Sequence, residues 1–278
     1  MVFQRYEAKM QAKQCMRGAY PHPMLVTLVY LLATSGLSWL ISSFVANPFL
    51  EIVQYLNAGY DPAVVMQHFF SGGRMLLYFF LSILLSLYSA VMGFGYTSYT
   101  LRLARGEQPG YRNLLDGFAV AGKVILTSIL TALFIFAWEL AVLLPLYILL
   151  AVALVFESQL LSILLVLALI FGGIPFLVSI VYRYRLTYYF LLDYPELSPL
   201  EAITQSKLSM KGRKWTLFVL DLSFLGWALL VPLTLGILGL WLNPYMMATE
   251  ANFYDTIARQ IQNDSGPQSG PDEFNPYK

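Results

Sequence analysis

Long apolar stretches alternate with polar gaps along this chain, and basic residues occupy only every second gap. Arg5, Lys9, Lys13 and Arg17 precede the first stretch, and Arg102, Arg105, Arg112 and Lys123 separate the second from the third. Arg183, Arg185, Lys207, Lys211, Arg213 and Lys214 separate the fourth from the fifth, and Arg259 and Lys278 follow the sixth. Of seventeen Lys and Arg residues, Arg74 alone lies in a gap of the other kind. Hydrocarbon offers the backbone no hydrogen-bond partners, so a chain crossing it repeatedly in such stretches must do so as helices. The positive-inside rule then puts both termini and the basic gaps in the cytoplasm.

Composition agrees with lipid as the solvent. A soluble domain carries about 25% charged residues, whereas this chain of 278 residues carries 12%, with 58% hydrophobic residues. Its mean hydropathy is +0.63. The first twenty residues are polar and lack a cleavage pattern, so the first span is expected to remain as an uncleaved anchor. One crossing needs about 20 apolar residues. The pattern therefore predicts an all-α polytopic transmembrane bundle with spans at 24–46, 75–99, 124–149, 160–182, 215–231 and 237–258. Residues 1–261 make one transmembrane domain, and the polar residues 262–278 are expected to form a disordered cytoplasmic tail. Pro232-Leu-Thr-Leu-Gly236 breaks the last apolar run into a hairpin. Pro145 is expected to kink the overlong third stretch or to end its membrane portion, leaving 146–156 as an interfacial extension.

Shorter helices are expected between the spans. In the outer loop, Asn47-Pro48 and Asp61-Pro62 each read as an N-cap followed by proline in the first turn. Phe49, Ile52, Val53 and Leu56 then share a face suited to the membrane surface. On the basic side, amphipathic stretches before spans 1, 3 and 5 end near Gly18, Gly122 and Gly212. Ser198-Pro199-Leu200-Glu201 is a capping box, and Tyr111, Leu114, Leu115 and Phe118 form a helical stripe. The simplest architecture is three helical hairpins, each entered through an interfacial elbow helix.

Blocks of residues in the second half follow a known order: Tyr182-Arg-Tyr184, Leu192-Asp-Tyr-Pro195, Ser206-Lys207, Met210-Lys-Gly212, Leu222-Ser-Phe-Leu-Gly-Trp227, Leu240-Trp241 and Phe253-Tyr254. Leu103-Ala-Arg-Gly-Glu107 and Leu115-Asp-Gly-Phe118 extend the likeness into the first half. The chain resembles the bacterial integral membrane family catalogued as domain of unknown function 975, over most of 101–257. It departs from that family between Pro145 and Gly173. The resemblance implies a multi-pass protein of the bacterial cell membrane, and brings no reaction, substrate or catalytic residue.

Ionisable groups within spans are the natural functional candidates, because an acidic residue at a helix centre costs roughly 2.5–3.5 kcal/mol to insert. Asp221 and Glu250 lie toward the basic end of spans 5 and 6, where they can face each other or share Arg183 or Arg185. Two roles fit this polar cluster: a structural tie locking spans 4, 5 and 6, or a proton, cation or headgroup site open to the cytoplasm. Glu139 is a secondary candidate, expected to snorkel or bond a neighbouring helix. Arg183 and Arg185, among Tyr182, Tyr184, Tyr188 and Tyr189, are expected to form an interfacial belt touching anionic lipid. Trp227 and Trp241 flank the outer break.

Enzyme signals are weak. His22 and His68 fall on opposite sides of the membrane, and the single cysteine, Cys15, excludes an intrachain disulfide. No metal-ligand, phosphate-loop or paired-cysteine pattern occurs, so no cofactor or metal is expected. Gly93-Phe-Gly95 lies within span 2 and reads as close helix packing. The expected role is non-enzymatic, that of an accessory or scaffold protein whose partners are membrane lipid or another membrane protein. The alternative is a small-solute or lipid-linked transporter. Topology already accounts for the basic residues, so nucleic acid is not an expected partner.

Overall fold

The computed structural model describes residues 3–44, 47–71 and 73–264, and all regular structure among them is helical. The chain opens with α1 (Arg5–Arg17), then α2 (Pro23–Leu31), a π-helical turn at Leu32–Gly36 and α3 (Leu37–Phe44). The outer loop folds into α4 (Pro48–Asn57) and α5 (Pro62–Ser71), capped as expected. Asn47 Oδ1 accepts from the Phe49 N–H at 3.0 Å, and Asp61 Oδ1 from the Ala63 N–H at 2.7 Å. Arg74, the one outlying basic residue, pairs with Glu51 at 2.8 Å.

The long α6 (Gly73–Ala104) leads to a 3-10 turn at Tyr111–Leu115 and the short α7 (Asp116–Ala119). Then α8 (Ala121–Val155) turns into α9 (Gln159–Ala168), a second π-helical turn at Leu169–Gly173 and α10 (Ile174–Arg183). After α11 (Thr187–Asp193) and α12 (Pro199–Ser209), the last hairpin comprises α13 (Lys214–Leu222), α14 (Leu225–Leu230) and α15 (Ile237–Asp264). Five stretches are long and apolar enough to cross a membrane: Pro23–Phe44, Gly73–Ala104, Ala121–Val155, Gln159–Asp193 and Lys214–Thr234. Only 6% of the apolar window of α8 is buried in the protein. Such a surface is stable only in an apolar solvent, and the chain is a multi-pass membrane protein.

The sixth expected span behaves differently. α15 is long, yet it is not among the five; Asn243 and Pro244, then Thr249, Glu250 and Asn252, interrupt its apolar character, and the last three form its polar segment. All three are buried, with Ala248, Ala251, Phe253 and Tyr254 around them. α15 packs against α1, α2 and α6, so protein rather than lipid surrounds this part of it. A shielded helix can hold polar groups that a lipid-facing one cannot.

The structure adds local detail. α8 runs through Pro145 for 35 residues, roughly 52 Å. Membrane helices tolerate a proline and its missing hydrogen bond, so residues 146–155 belong to the same helix. Span 5 carries an unforeseen break between α13 and α14. The three elbow glycines do not share one conformation. Gly18 has φ −100° and Gly122 lies inside α8, while Gly212 alone is left-handed, at φ +78°. α1 buries one face of the first elbow through Ala8, Ala12 and Met16. Residues 262–264 of the expected tail belong to α15; residues 265–278, like residues 45 and 46 at the expected end of span 1, lie outside the described residues.

Candidate functional site

A turn between α10 and α11 builds the main polar site. Ser206 on α12 mends the break there: its hydroxyl donates to the Arg183 carbonyl at 3.1 Å and accepts from the Leu186 N–H at 3.1 Å. Two backbone groups freed by the turn are thereby bonded inside the protein. The turn sets Arg185 against Glu250 on α15, with Nε donating to Oε1 and Nη2 to Oε2, each at 2.8 Å. The Glu250 side chain is 5% exposed and that of Arg185 38%. A bidentate pair of this kind is a strong, charge-assisted contact between two helices.

Asp221 lies within electrostatic reach of Arg185 without bonding to it. Asp221 on α13 does not meet Glu250; its Oδ2 accepts from the Tyr182 hydroxyl at 2.5 Å. Like charges repel, and here each carboxylate has its own donor. Arg183 turns away, its guanidinium carbon 5.6 Å from the centre of the Trp138 ring. Glu139 is half-buried on α8, with no hydrogen bond or ion pair among the described residues. Two of the four tyrosines expected in an interfacial belt point inward. Tyr184 and Tyr189 are buried, and Tyr189 stacks on Tyr254 with ring centres 5.1 Å apart. The Tyr188 hydroxyl meets Ser128 Oγ at 2.7 Å. These rings pack the interior because α11 folds back over the bundle rather than leaving it.

Sequence reasoning missed a second polar node. Arg105, just beyond α6, donates through Nη1 and Nη2 to Asp193 at 2.7 Å each. Its Nη2 and Nε also reach Asp255 Oδ1, at 2.7 and 3.2 Å. The Tyr254 hydroxyl donates to Asp193 at 2.9 Å. The hydrogen bonds to Asp193, then the contacts of Asp255, raise the guanidinium's affinity for its proton against the opposing effect of burial. Arg105 counted in the sequence only as a topology charge. The available signal was that Leu103-Ala-Arg105 and Leu192-Asp193 both belong to the blocks carrying the family likeness.

Beside Arg185 and Glu250 an open groove of about 530 Å³ is walled by α6, α8, α10, α11 and α15. A second cleft, of about 540 Å³, lies between α1 and α15 and is polar, with Glu7, Arg105, Asn252, Asp255 and Arg259 on its walls. Among the described residues no group of three or more His, Cys, Asp or Glu side chains is placed to hold a metal ion. A family model described as "Protein of unknown function (DUF975)" matches residues 1–260, so the likeness extends over the first span and the outer loop as well. No curated protein and no solved structure matches the chain.

Proposed function

The chain belongs to the DUF975 family, and from that premise we propose that it is a non-enzymatic accessory or scaffold protein acting on lipid or on other membrane proteins. It sits in the bacterial cell membrane with six crossings and both termini in the cytoplasm; the alternation of basic gaps supports this orientation. One observation carries the functional reading. Both intramembrane carboxylates near the basic end are committed to partners inside the bundle, Glu250 to Arg185 and Asp221 to Tyr182. These contacts join α10 to α13 and the turn after α10 to α15, which suits a tie between helices better than a relay that must release and rebind a proton or cation. The groove reaching Arg185 and Glu250 favours the second reading, a small-solute or lipid-linked transporter, but Asp221 does not line it.

Purified protein in sealed proteoliposomes separates the two. The scaffold reading expects no protein-dependent proton or cation flux, and Asp221→Asn to lower thermal stability only. A flux abolished by Asp221→Asn in a folded protein would establish the transporter instead.

A further inference from the structure

The two arginines that organise the basic end are unequally filled, and we infer that Arg185 holds the phosphate of a membrane phospholipid lying in the groove beside it. This rests on the reading of the protein as one that acts on lipid. A guanidinium offers two edges for bidentate bonding, one through Nε and Nη2, the other through Nη1 and Nη2. Arg105 uses both, the first for Asp255 and the second for Asp193. Arg185 uses only the first, for Glu250, and no described residue accepts from its Nη1. This half-filled guanidinium is partly exposed and lines the groove. Asp221 also lies within electrostatic reach of Arg185, but it is bonded to Tyr182 and leaves the second edge unoccupied; Arg105 shows that one guanidinium can hold two anions.

The groove is graded along the helices. Toward the basic end its walls carry Ser128, Arg185 and Glu250; farther along the same elements they carry Ala90, Ile135 and Val181. Measured along α8, Ser128 lies roughly 10 Å and Ile135 roughly 21 Å from the start of the helix. Thr131 lies between them, so the apolar wall on α8 runs from Ala132 to Ile135, about 5 Å. Polar walls followed by this apolar stretch give room for a headgroup and the first part of an acyl chain in one leaflet, which is about 15 Å of hydrocarbon. Free inorganic phosphate has no use for the apolar walls, so the gradient selects a lipid.

The test is native mass spectrometry of the detergent-purified full chain with phosphatidic acid, phosphatidylcholine and diacylglycerol of identical acyl chains. Both phospholipids should be retained, diacylglycerol about tenfold more weakly, and excess inorganic phosphate should displace neither. Equal retention of diacylglycerol, or displacement by inorganic phosphate, overturns the inference. Arg185→Met combined with Glu250→Leu replaces the pair by apolar side chains and should reduce phospholipid retention to the level of diacylglycerol. Ala132→Trp fills the groove without touching the pair and should reduce retention of all three, which keeps the inference testable if the double variant does not fold. Unchanged retention in either folded variant rejects it. Absence of headgroup selectivity in the wild-type chain, without ion flux, removes the groove's occupant and leaves the scaffold reading standing, whereas flux removes the reading itself.

Discussion

Single side chains decide whether the basic end of the bundle holds together, and Ser206 is the clearest case. It is fully buried and satisfies one backbone donor and one backbone acceptor at the α10–α11 turn. Ser206→Ala leaves both unbonded, at about 1–3 kcal/mol each, and should appear as a lowered unfolding midpoint in a mixed-micelle denaturant titration. The Arg185–Glu250 pair calls for a double-mutant cycle. Glu250→Gln strands a guanidinium and should cost about 3 kcal/mol, while the Met–Leu replacement of both should recover most of it. Glu201 gives a pH signature. Bonds from the Ser198 N–H and hydroxyl hold its carboxyl below the usual carboxylate range. Its capping contribution is therefore present above the unfolded-state value and lost as pH falls through the folded-state value. The protection factor of the Ser198 amide, its exchange measured against the intrinsic rate at each pH, should fall on acidification in the native protein. Glu201→Gln, which still accepts the bond, should flatten that dependence.

At the scale of elements, the middle elbow docks through missing side chains. A Cβ built on Gly95 of α6 falls 2.0 Å from the Leu114 carbonyl oxygen, and one on Gly117 of α7 falls 2.2 Å from that of Val91. Backbone cannot withdraw as a flexible side chain can, so Gly95→Ala and Gly117→Ala should each destabilise by about 3 kcal/mol or more. Gly93→Ala, with nothing nearer than the Tyr30 hydroxyl at 3.9 Å, should leave the thermal midpoint unchanged. Asp116 adds a polar latch, its Oδ2 accepting from Ser98 at 2.6 Å and Asn113 at 3.1 Å. Close packing around the Gly93-Phe-Gly95 segment was legible in the sequence. That the partner was an elbow rather than another span was not, because glycine spacing reports a close approach without naming what approaches. α1 follows the same pattern. Its Lys9 ammonium lies 4.1 Å from the centre of the Phe224 ring and 3.5 Å from the Ser223 carbonyl, at the break in span 5. Burial, and secondarily the charge of Arg5, draws that ammonium below the usual lysine range.

For the molecule as a whole, the alternation of basic gaps predicts an even number of crossings. With Cys15 replaced, cysteines introduced for Gln54 and Ser158 should label from outside intact cells, and one for Lys211 only after the membrane is opened. Outside labelling at Lys211, or protection at both others, would reject the topology. The solvent, the helical class, the caps at Asn47, Asp61 and Ser198 and the break after Val231 were all readable from the chain, because hydrophobicity, capping and proline geometry act over a few neighbouring residues. Hydropathy could also locate Asp221, Glu250 and the arginines by depth. It could not assign partners, since a side chain's azimuth around its helix depends on where the chain turns, and the turn at 184–186 is held by Ser206 from a separate helix. Only the tertiary structure made α15 the shielded element, paired Glu250 with Arg185, gave Asp221 to Tyr182 and left one guanidinium edge open. Those outcomes depend on which helices lie beside each other, and that is fixed by packing among residues far apart in the chain.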